Sequence, residues 1–357
     1  MNTDIYKPYP QEVFKFYAPT DYNIEAFTKH YLFPSHPYHL NDLMDSNSYN
    51  IDMRDLSYEL YDELKKQIIN QAPLIVNGEL FHKLTPQTDK DCKILQKAIL
   101  DCYFCFGGIV SLATQNRFSE LMWSHYTNNE TGYMIEFDTT KLLNSILLNK
   151  QNRIFNNLIF KPVQYKELLI SVSCKTNPNI HYINRYNTTQ KNKEWSYEKE
   201  WRMIVTSYPF LGLPNSIYAA DPELTNIDKR KLYYNSNAIK RIYLGKRFWG
   251  IGNIDQEIRT GENHRQYIVK EHMVPFIKEL CKYNGKIYMG GSCDCAEFKF
   301  GTDKITINEK RQTPEFNPNY YYEKRSFELI KKIQIEGKSV IVEYDGNFLT
   351  SDIYFKD

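Results

Sequence analysis

The chain has 357 residues, 42% of them hydrophobic, with 29 Tyr and 20 Phe, enough for a sizeable aromatic core in one large domain or one domain plus an appendage. Its 45 basic and 43 acidic residues leave a net charge of +2, which excludes a global electrostatic argument for nucleic-acid binding. No run reaches the length of a membrane span, and Met1 to Pro10 lacks the apolar core of a signal peptide. Seven irregularly spaced cysteines do not form a secreted disulfide framework, so a reducing cytoplasm is expected. Cys281 with Cys293-Asp294-Cys295 lacks paired spacing and a fourth ligand, so no metal is expected.

Phe14 to Tyr17 reads as a short strand, Asn23 to Lys29 as a short helix, and Tyr31 to Phe33 as a strand ended by Pro34. A polar loop with Asn41, Asp42 and Asp45 follows. Leu56, Leu60, Leu64 and Ile68 recur at helical spacing, which predicts an amphipathic helix over Asp55 to Gln71 with an acidic start. Asp91 to Leu100 predicts another helix, and Cys102 to Phe106 a buried strand stopped by Gly107-Gly108. Arg117 to Tyr126 reads as a short helix, 128–132 as a turn, Tyr133 to Phe137 as a strand and Val163 to Tyr165 as another. The polar, Asn- and Thr-rich stretch Lys175 to Lys193 reads as a mobile excursion.

Arg241 to Gly245 predicts a strand, Val269 to Lys282 a helix, and Lys286 to Met289 and Ala296 to Ile307 closing strands. In Tyr320 to Asp357, Phe327, Leu329, Ile330 and Ile333 predict a helix, and Asp345-Gly346 the turn of a hairpin. Mixed elements without strict βαβ alternation predict an α+β fold, with a mixed or antiparallel central sheet flanked by helices and a small C-terminal helix-hairpin extension. The expected boundary separates residues 1–310 from 311–357. The basic clusters Lys229-Arg230-Lys231 and Lys240, Arg241, Lys246 and Arg247 are expected to be solvated faces.

The most informative stretch is Trp195-Ser196-Tyr197-Glu198-Lys199-Glu200-Trp201-Arg202. Read as a strand, it sends Glu198, Glu200 and Arg202 to one face. Burying three charges requires partners, so this is either a carboxylate ledge for a ligand or a structural ion network. A second constellation is Leu121-Met122-Trp123-Ser124-His125-Tyr126, followed by Gly132 to Asp138. His125 shares a helical face with Phe118, Leu121 and Met122, which makes it either a core histidine or a ligand-facing imidazole. Trp123 is expected in the core, Asn41 and Asp42 in a turn or on a pocket rim, and Glu136 and Asp138 on an exposed strand face and turn.

With Cys105-Phe106 upstream and Ile242-Tyr243-Leu244-Gly245 downstream, these stretches resemble a bacterial and phage family catalogued as domain of unknown function family 2971. The resemblance covers roughly residues 14 to 290 and rests chiefly on the two tryptophan motifs. Asn41, Asp42 and Asp45 match the family's early loop, whereas Leu40, Leu43 and Met44 replace two phenylalanines and a proline, and Gly107 stands where serine is usual. The family is similar to proteins of mobile-element, toxin and phage-defence neighbourhoods, which implies a toxin or anti-phage effector with a protein partner or antitoxin.

The leading expectation is a nucleotide-using transferase similar to ADP-ribosyltransferases, with NAD or an NAD-like small molecule as substrate and no metal. Glu200 and Glu198 would be the catalytic E-x-E pair, since a carboxylate stabilises a developing sugar cation. Arg202 would anchor the pair or a phosphate, and His125, Tyr126, Tyr17, Asn41 and Asp42 would line the pocket. The alternatives are a nucleic-acid enzyme holding a divalent ion on Glu198, Glu200, Asp42 and Asp45, and a non-catalytic sensor or immunity module in which the charges are scaffold.

Overall fold

A computed structural model describes residues 1–42, 44–71, 81, 83–86, 88–114, 119–207, 211, 228–259, 263–290, 298–300, 303–305 and 322–354. The chain divides into two compact units built from separated stretches. Met1–Val13, His30–Gln115 and Thr139–Ala238 form the first; Phe14–Lys29, Asn116–Asp138 and Ile239–Asp357 form the second. Helices and strands are mixed along the chain, and the fold is α+β as predicted.

In the first unit the strands run in the order Asn2–Ile5, Phe155–Pro162, Glu200–Ser207, Gly107–Ala113. The first pair is parallel and the next two are antiparallel. Glu200–Ser207 is hydrogen-bonded on both sides, which suits its run Met203-Ile204-Val205, each residue at most 1% exposed. The leucine stripe forms the helix Tyr58–Gln71, where Leu64 and Ile68 pack with Leu95 and Ile99 of the helix Asp89–Phe104. The first helix starts at Tyr58 rather than Asp55: Asp55 is left-handed (φ 54°), and Ser57 Oγ accepts from the Leu60 N–H at 3.3 Å.

Two expectations in this unit are corrected. Cys102 to Phe106 is not a strand. The helix continues to Phe104, and Gly107-Gly108 open the next strand instead of stopping one. The last helical turns lie between two apolar clusters, one holding Cys102 and Cys105 and the other Leu100, Tyr103 and Phe104. A helix buried all round gives the same apolar run as a buried strand. Nor is Lys175 to Lys193 an unstructured excursion: it contains the helix Ile180–Asn187 and the strand Gln190–Asn192. Asn179 caps that helix by accepting from the His181 and Tyr182 N–H groups. Ile180, Ile183 and Asn184 face inward, and Asn184 Nδ2 donates to Ile99 O at 2.9 Å.

In the second unit the order is Tyr133–Asp138, Ile239–Leu244, Ile287–Gly290, Tyr322–Glu336, Ser339–Tyr354, His264–Val269, Ile254–Arg259. Along this order the pair Ile239–Leu244 and Ile287–Gly290 is parallel and the other described pairs are antiparallel. The predicted helix over Val269 to Lys282 is shorter, Val274–Leu280 with Pro275 in its first turn, because Val269 ends a strand. Among the described residues the predicted C-terminal helix is replaced by the strand Tyr322–Glu336. Phe327 and Ile330 lie on a strand whose hairpin turns at Gly337-Lys338, and Asp345-Gly346 falls within the return strand. Register shifts at 328/330 and 330/332 place the buried Phe327, Ile330 and Ile333 three apart, which imitates a helical stripe.

Two glycines lock this unit. A Cβ on Gly132 would meet Tyr17 O at 2.0 Å, and one on Gly245 would meet Glu130 O at 2.1 Å. Gly245 N–H donates to Gly132 O at 2.9 Å, so the two turns interlock through their main chains. Asn128, Asn129 and Glu130, all at positive φ, bring the first turn into place. Gly132→Ala and Gly245→Ala are each expected to lower stability by about 1–3 kcal/mol or more through overpacking. Gly252→Ala, with nothing within 4 Å of its Cβ, is the neutral control. Urea unfolding of the three variants checks this; equal midpoints would refute it.

Candidate functional site

The Trp195 to Arg202 motif is not one strand. Lys193–Glu198 forms a 3-10 turn, opened by Asn192 Oδ1 accepting from the Glu194 N–H at 3.0 Å. Lys199 is left-handed (φ 44°), and the strand begins only at Glu200. Glu198 is therefore off the strand, a correction to the simple alternation. It still converges with Glu200 because Lys191, from the neighbouring short strand, reaches between them.

Lys191 Nζ lies 2.5 Å from Glu198 Oε2, 3.5 Å from Glu200 Oε2 and 3.7 Å from Asp45 Oδ2. Arg202 Nε donates to Glu200 Oε1 at 2.9 Å, and Nη2 reaches both Glu200 Oε2 and Asp45 Oδ2. Arg202 Nη1 donates to Ser46 Oγ at 3.2 Å and to Thr188 O at 2.7 Å. Ser46 Oγ donates to Asp45 Oδ1 at 2.9 Å. Asp45, Lys191, Glu198, Glu200 and Arg202 are each at most 4% exposed. Trp195 stands beside them with its ring centroid 4.7 Å from Lys191 Nζ. Tyr165 Oη accepts from the Glu200 N–H at 2.7 Å, fixing the start of the strand.

The electrostatics follow from this geometry. Burial pushes the Glu200 carboxyl up, but Arg202 and Lys191, with hydrogen bonds from Arg202 and Ser111, outweigh it and hold the pKa at about 2. Burial works against the Arg202 and Lys191 cations too, and the surrounding carboxylates overcome it, so both pKa values rise. Glu200, Arg202 and Lys191 are therefore ionised at neutral pH, with their charges directed at one another.

The remaining candidates fall as follows. Asn41 is exposed, and Asp42 Oδ1 accepts from the Met44 N–H at 2.9 Å, the expected turn; Leu43 lies outside the described residues. Tyr17, His125 and Tyr126 belong to the second unit. Tyr17 is buried and stacked on Tyr133 at 5.0 Å. His125 is exposed and meets Tyr126 edge-on at 6.4 Å, so it is not a core histidine. Trp123 is in the core, flanked by Phe16 at 5.5 Å and Phe327 at 5.8 Å.

Glu136 is not on an exposed face. It is buried and accepts from Arg241 Nη1 at 2.9 Å and Tyr243 Oη at 2.7 Å. Arg230 is likewise no solvated charge. At 1% exposure it donates to Pro34 O, Gly107 O and Phe104 O, tying down the end of the helix Asp89–Phe104. Burial lowers its pKa to about 10. Among the described residues no group of three or more His, Cys, Asp or Glu is arranged for a metal ion; Cys293 and Cys295 lie outside them. Among the described residues no helix is long and apolar enough to cross a membrane.

Lys191 and Ser46 are the members that sequence reasoning missed. Lys191 lies in a polar stretch without periodicity, and its pairing depends on the left-handed Lys199. The fold and cluster define a mixed α+β protein with a buried ion network of three carboxylates paired with two cations. Residues 122–203, which contain most of both tryptophan motifs, match the family described as Protein of unknown function (DUF2971). Comparison with curated proteins and with solved structures returned no match.

Removing Arg202 leaves three buried carboxylates facing one lysine, so Arg202→Met is expected to cost about 3–5 kcal/mol in urea unfolding. A loss under about 1 kcal/mol would contradict the network, being within the range of surface pairs. The depressed Glu200 pKa makes a signed prediction. Its contribution is fully present above the unfolded value of 4.5 and is lost as pH falls from there toward about 2. Between these values the unfolding free energy of Glu200→Gln should therefore depend less steeply on pH than that of the parent; parallel curves would show that Glu200 does not carry the effect.

Proposed function

We propose that this chain is a non-catalytic binding module, of the sensor or immunity kind, in which the Glu198–Glu200–Arg202 cluster is scaffold. The observation that carries the reading is that both Glu200 oxygens are occupied by protein cations while the residue is 3% exposed. A carboxylate that stabilises a sugar cation must reach the substrate, and exposing this one would break pairs that hold two other segments in place.

The nucleotide-using transferase reading, with NAD as substrate, retains one observation in its favour. Glu200 is held ionised with a pKa of about 2, the protonation state that an oxocarbenium-like transition state requires. The two readings separate on Glu200→Gln. The scaffold reading expects a clear fall in melting temperature and no NAD turnover attributable to Glu200, whether none in the parent or the same rate per folded molecule in both. An unchanged melting temperature with lost NAD turnover would overturn it. Thermal shift with NAD and with Mg²⁺ adds a binding test, because a ligand of the folded state raises apparent stability by mass action. The scaffold reading expects no shift from Mg²⁺.

A further inference from the structure

The chain's small net charge conceals a local concentration. Residues 161–199 hold seven basic side chains (Lys161, Lys166, Lys175, Arg185, Lys191, Lys193, Lys199) and three acidic ones (Glu167, Glu194, Glu198). Lys191 and Glu198 neutralise each other inside the cluster. Lys161 and Arg185 both pair with Asp4 of the first strand, so six basic groups face three acidic ones, an excess of three in a chain whose total is +2. Lys166, Arg185, Lys193 and Lys199 all keep solvent access.

The fold gathers this stretch around a two-stranded ribbon of the first unit, with Lys166 and Tyr186 on one face and Lys191 and Trp195 on the other. The strand Gln164–Lys166 pairs in parallel with Gln190–Asn192, placing Tyr165 opposite Lys191 and Lys166 opposite Asn192. Lys166 Nζ sits 5.6 Å from the Tyr186 ring centroid, and Lys193 bridges to Glu167 at 2.6 Å. Tyr182 and Tyr186, one helical turn apart, are stacked with centroids 6.3 Å apart and planes at 22°. Trp195 and Tyr197 form a second ring pair at 6.0 Å on the adjoining turn. Tyr182 is 45% exposed, and the other three rings are partly exposed.

We propose that the Tyr186 face of this ribbon binds single-stranded nucleic acid, with Tyr182 and Tyr186 stacking bases and Lys166 and Lys193 meeting phosphates. An aromatic pair beside the unburied Lys166 and Lys193 supplies the two elements that sequence-tolerant single-strand recognition uses, ring faces and positive charge. The ion pair of Lys193 with Glu167 is exposed and exchangeable, so a phosphate competes for it at little cost. A duplex keeps its bases stacked on one another and offers no ring face, which makes a single strand the occupant. The proposal rests on the reading of the chain as a binding module and names the partner of that module.

The test is fluorescence anisotropy of the full-length protein with labelled dT and rU oligomers of about 20 nucleotides, against a duplex of equal length and polyglutamate, at about 50 to 200 mM salt. Binding to either single strand is expected, at least tenfold tighter than to the duplex and absent for polyglutamate. Tyr182→Ala should weaken it about fivefold or more, as stacking losses do. Lys166→Gln and Lys193→Gln should each make the slope of log affinity against log salt shallower by about 0.7. Melting temperatures near that of the parent establish that these exposed-site variants are folded. No single-strand binding at the lowest salt, equal capture of the duplex or of polyglutamate, or affinity unchanged in a folded Tyr182→Ala would overturn the proposal. Such a failure alongside scaffold behaviour of Glu200→Gln would remove the partner and leave the module reading; catalytic behaviour of Glu200→Gln would remove the module reading itself.

Discussion

A guanidinium buried to 1% exposure has to be surrounded by acceptors, and much of the first unit is organised around meeting that demand for Arg202. Its acceptors come from three places: Glu200 on its own strand, Asp45 and Ser46 on the early loop, and the carbonyl of Thr188 after the helix Ile180–Asn187. No two of these segments are adjacent in sequence. One side chain therefore fixes a loop and a helix end against a sheet strand, and Lys191 balances the carboxylates that Arg202 brings together. Ser46 adopts a positive φ of 54° while buried, a conformation that the surrounding contacts must sustain.

The same logic recurs elsewhere with different partners. Arg230 is buried against backbone carbonyls at a helix end, and Glu136 is buried between Arg241 and the Tyr243 hydroxyl. Arg230 holds main chain directly, whereas Glu136 ties together side chains of the adjoining strand. Such interactions add little net stability compared with a well-packed apolar substitute, but they penalise every arrangement in which the partners are misplaced. The Gly132 and Gly245 turns reach a similar end by steric means, with main chains so close that any side chain would collide.

The parts legible in sequence were those carried by one unambiguous local signal. The Leu56, Leu60, Leu64, Ile68 stripe gave its helix with the end at Gln71 and the start three residues early, and the apolar run Tyr133 to Phe137 gave its strand to within one residue. The failures share a cause: local pattern was overridden by tertiary context. Bulges gave the Phe327 strand a helical spacing, double-sided burial gave the Cys102 helix end a strand-like run, and Asn184 filled an apolar position in a helix that hydropathy reads as loop. Glu200 and Arg202 could be found from the motif because their spacing is local. Lys191 could not, since its position depends on the turn at Lys199 and on a parallel strand pair. The charge surplus of residues 161–199 was present in the sequence but became a surface only when that stretch proved folded.

The central claim is that Arg202 couples the early loop to the strand. A double-mutant cycle of Asp45→Asn and Arg202→Gln, followed by urea unfolding at neutral pH, measures that coupling directly. The account predicts an interaction free energy of about 1–3 kcal/mol, since both groups belong to one buried network. Additivity within about 0.5 kcal/mol, the behaviour of independent sites, would contradict it.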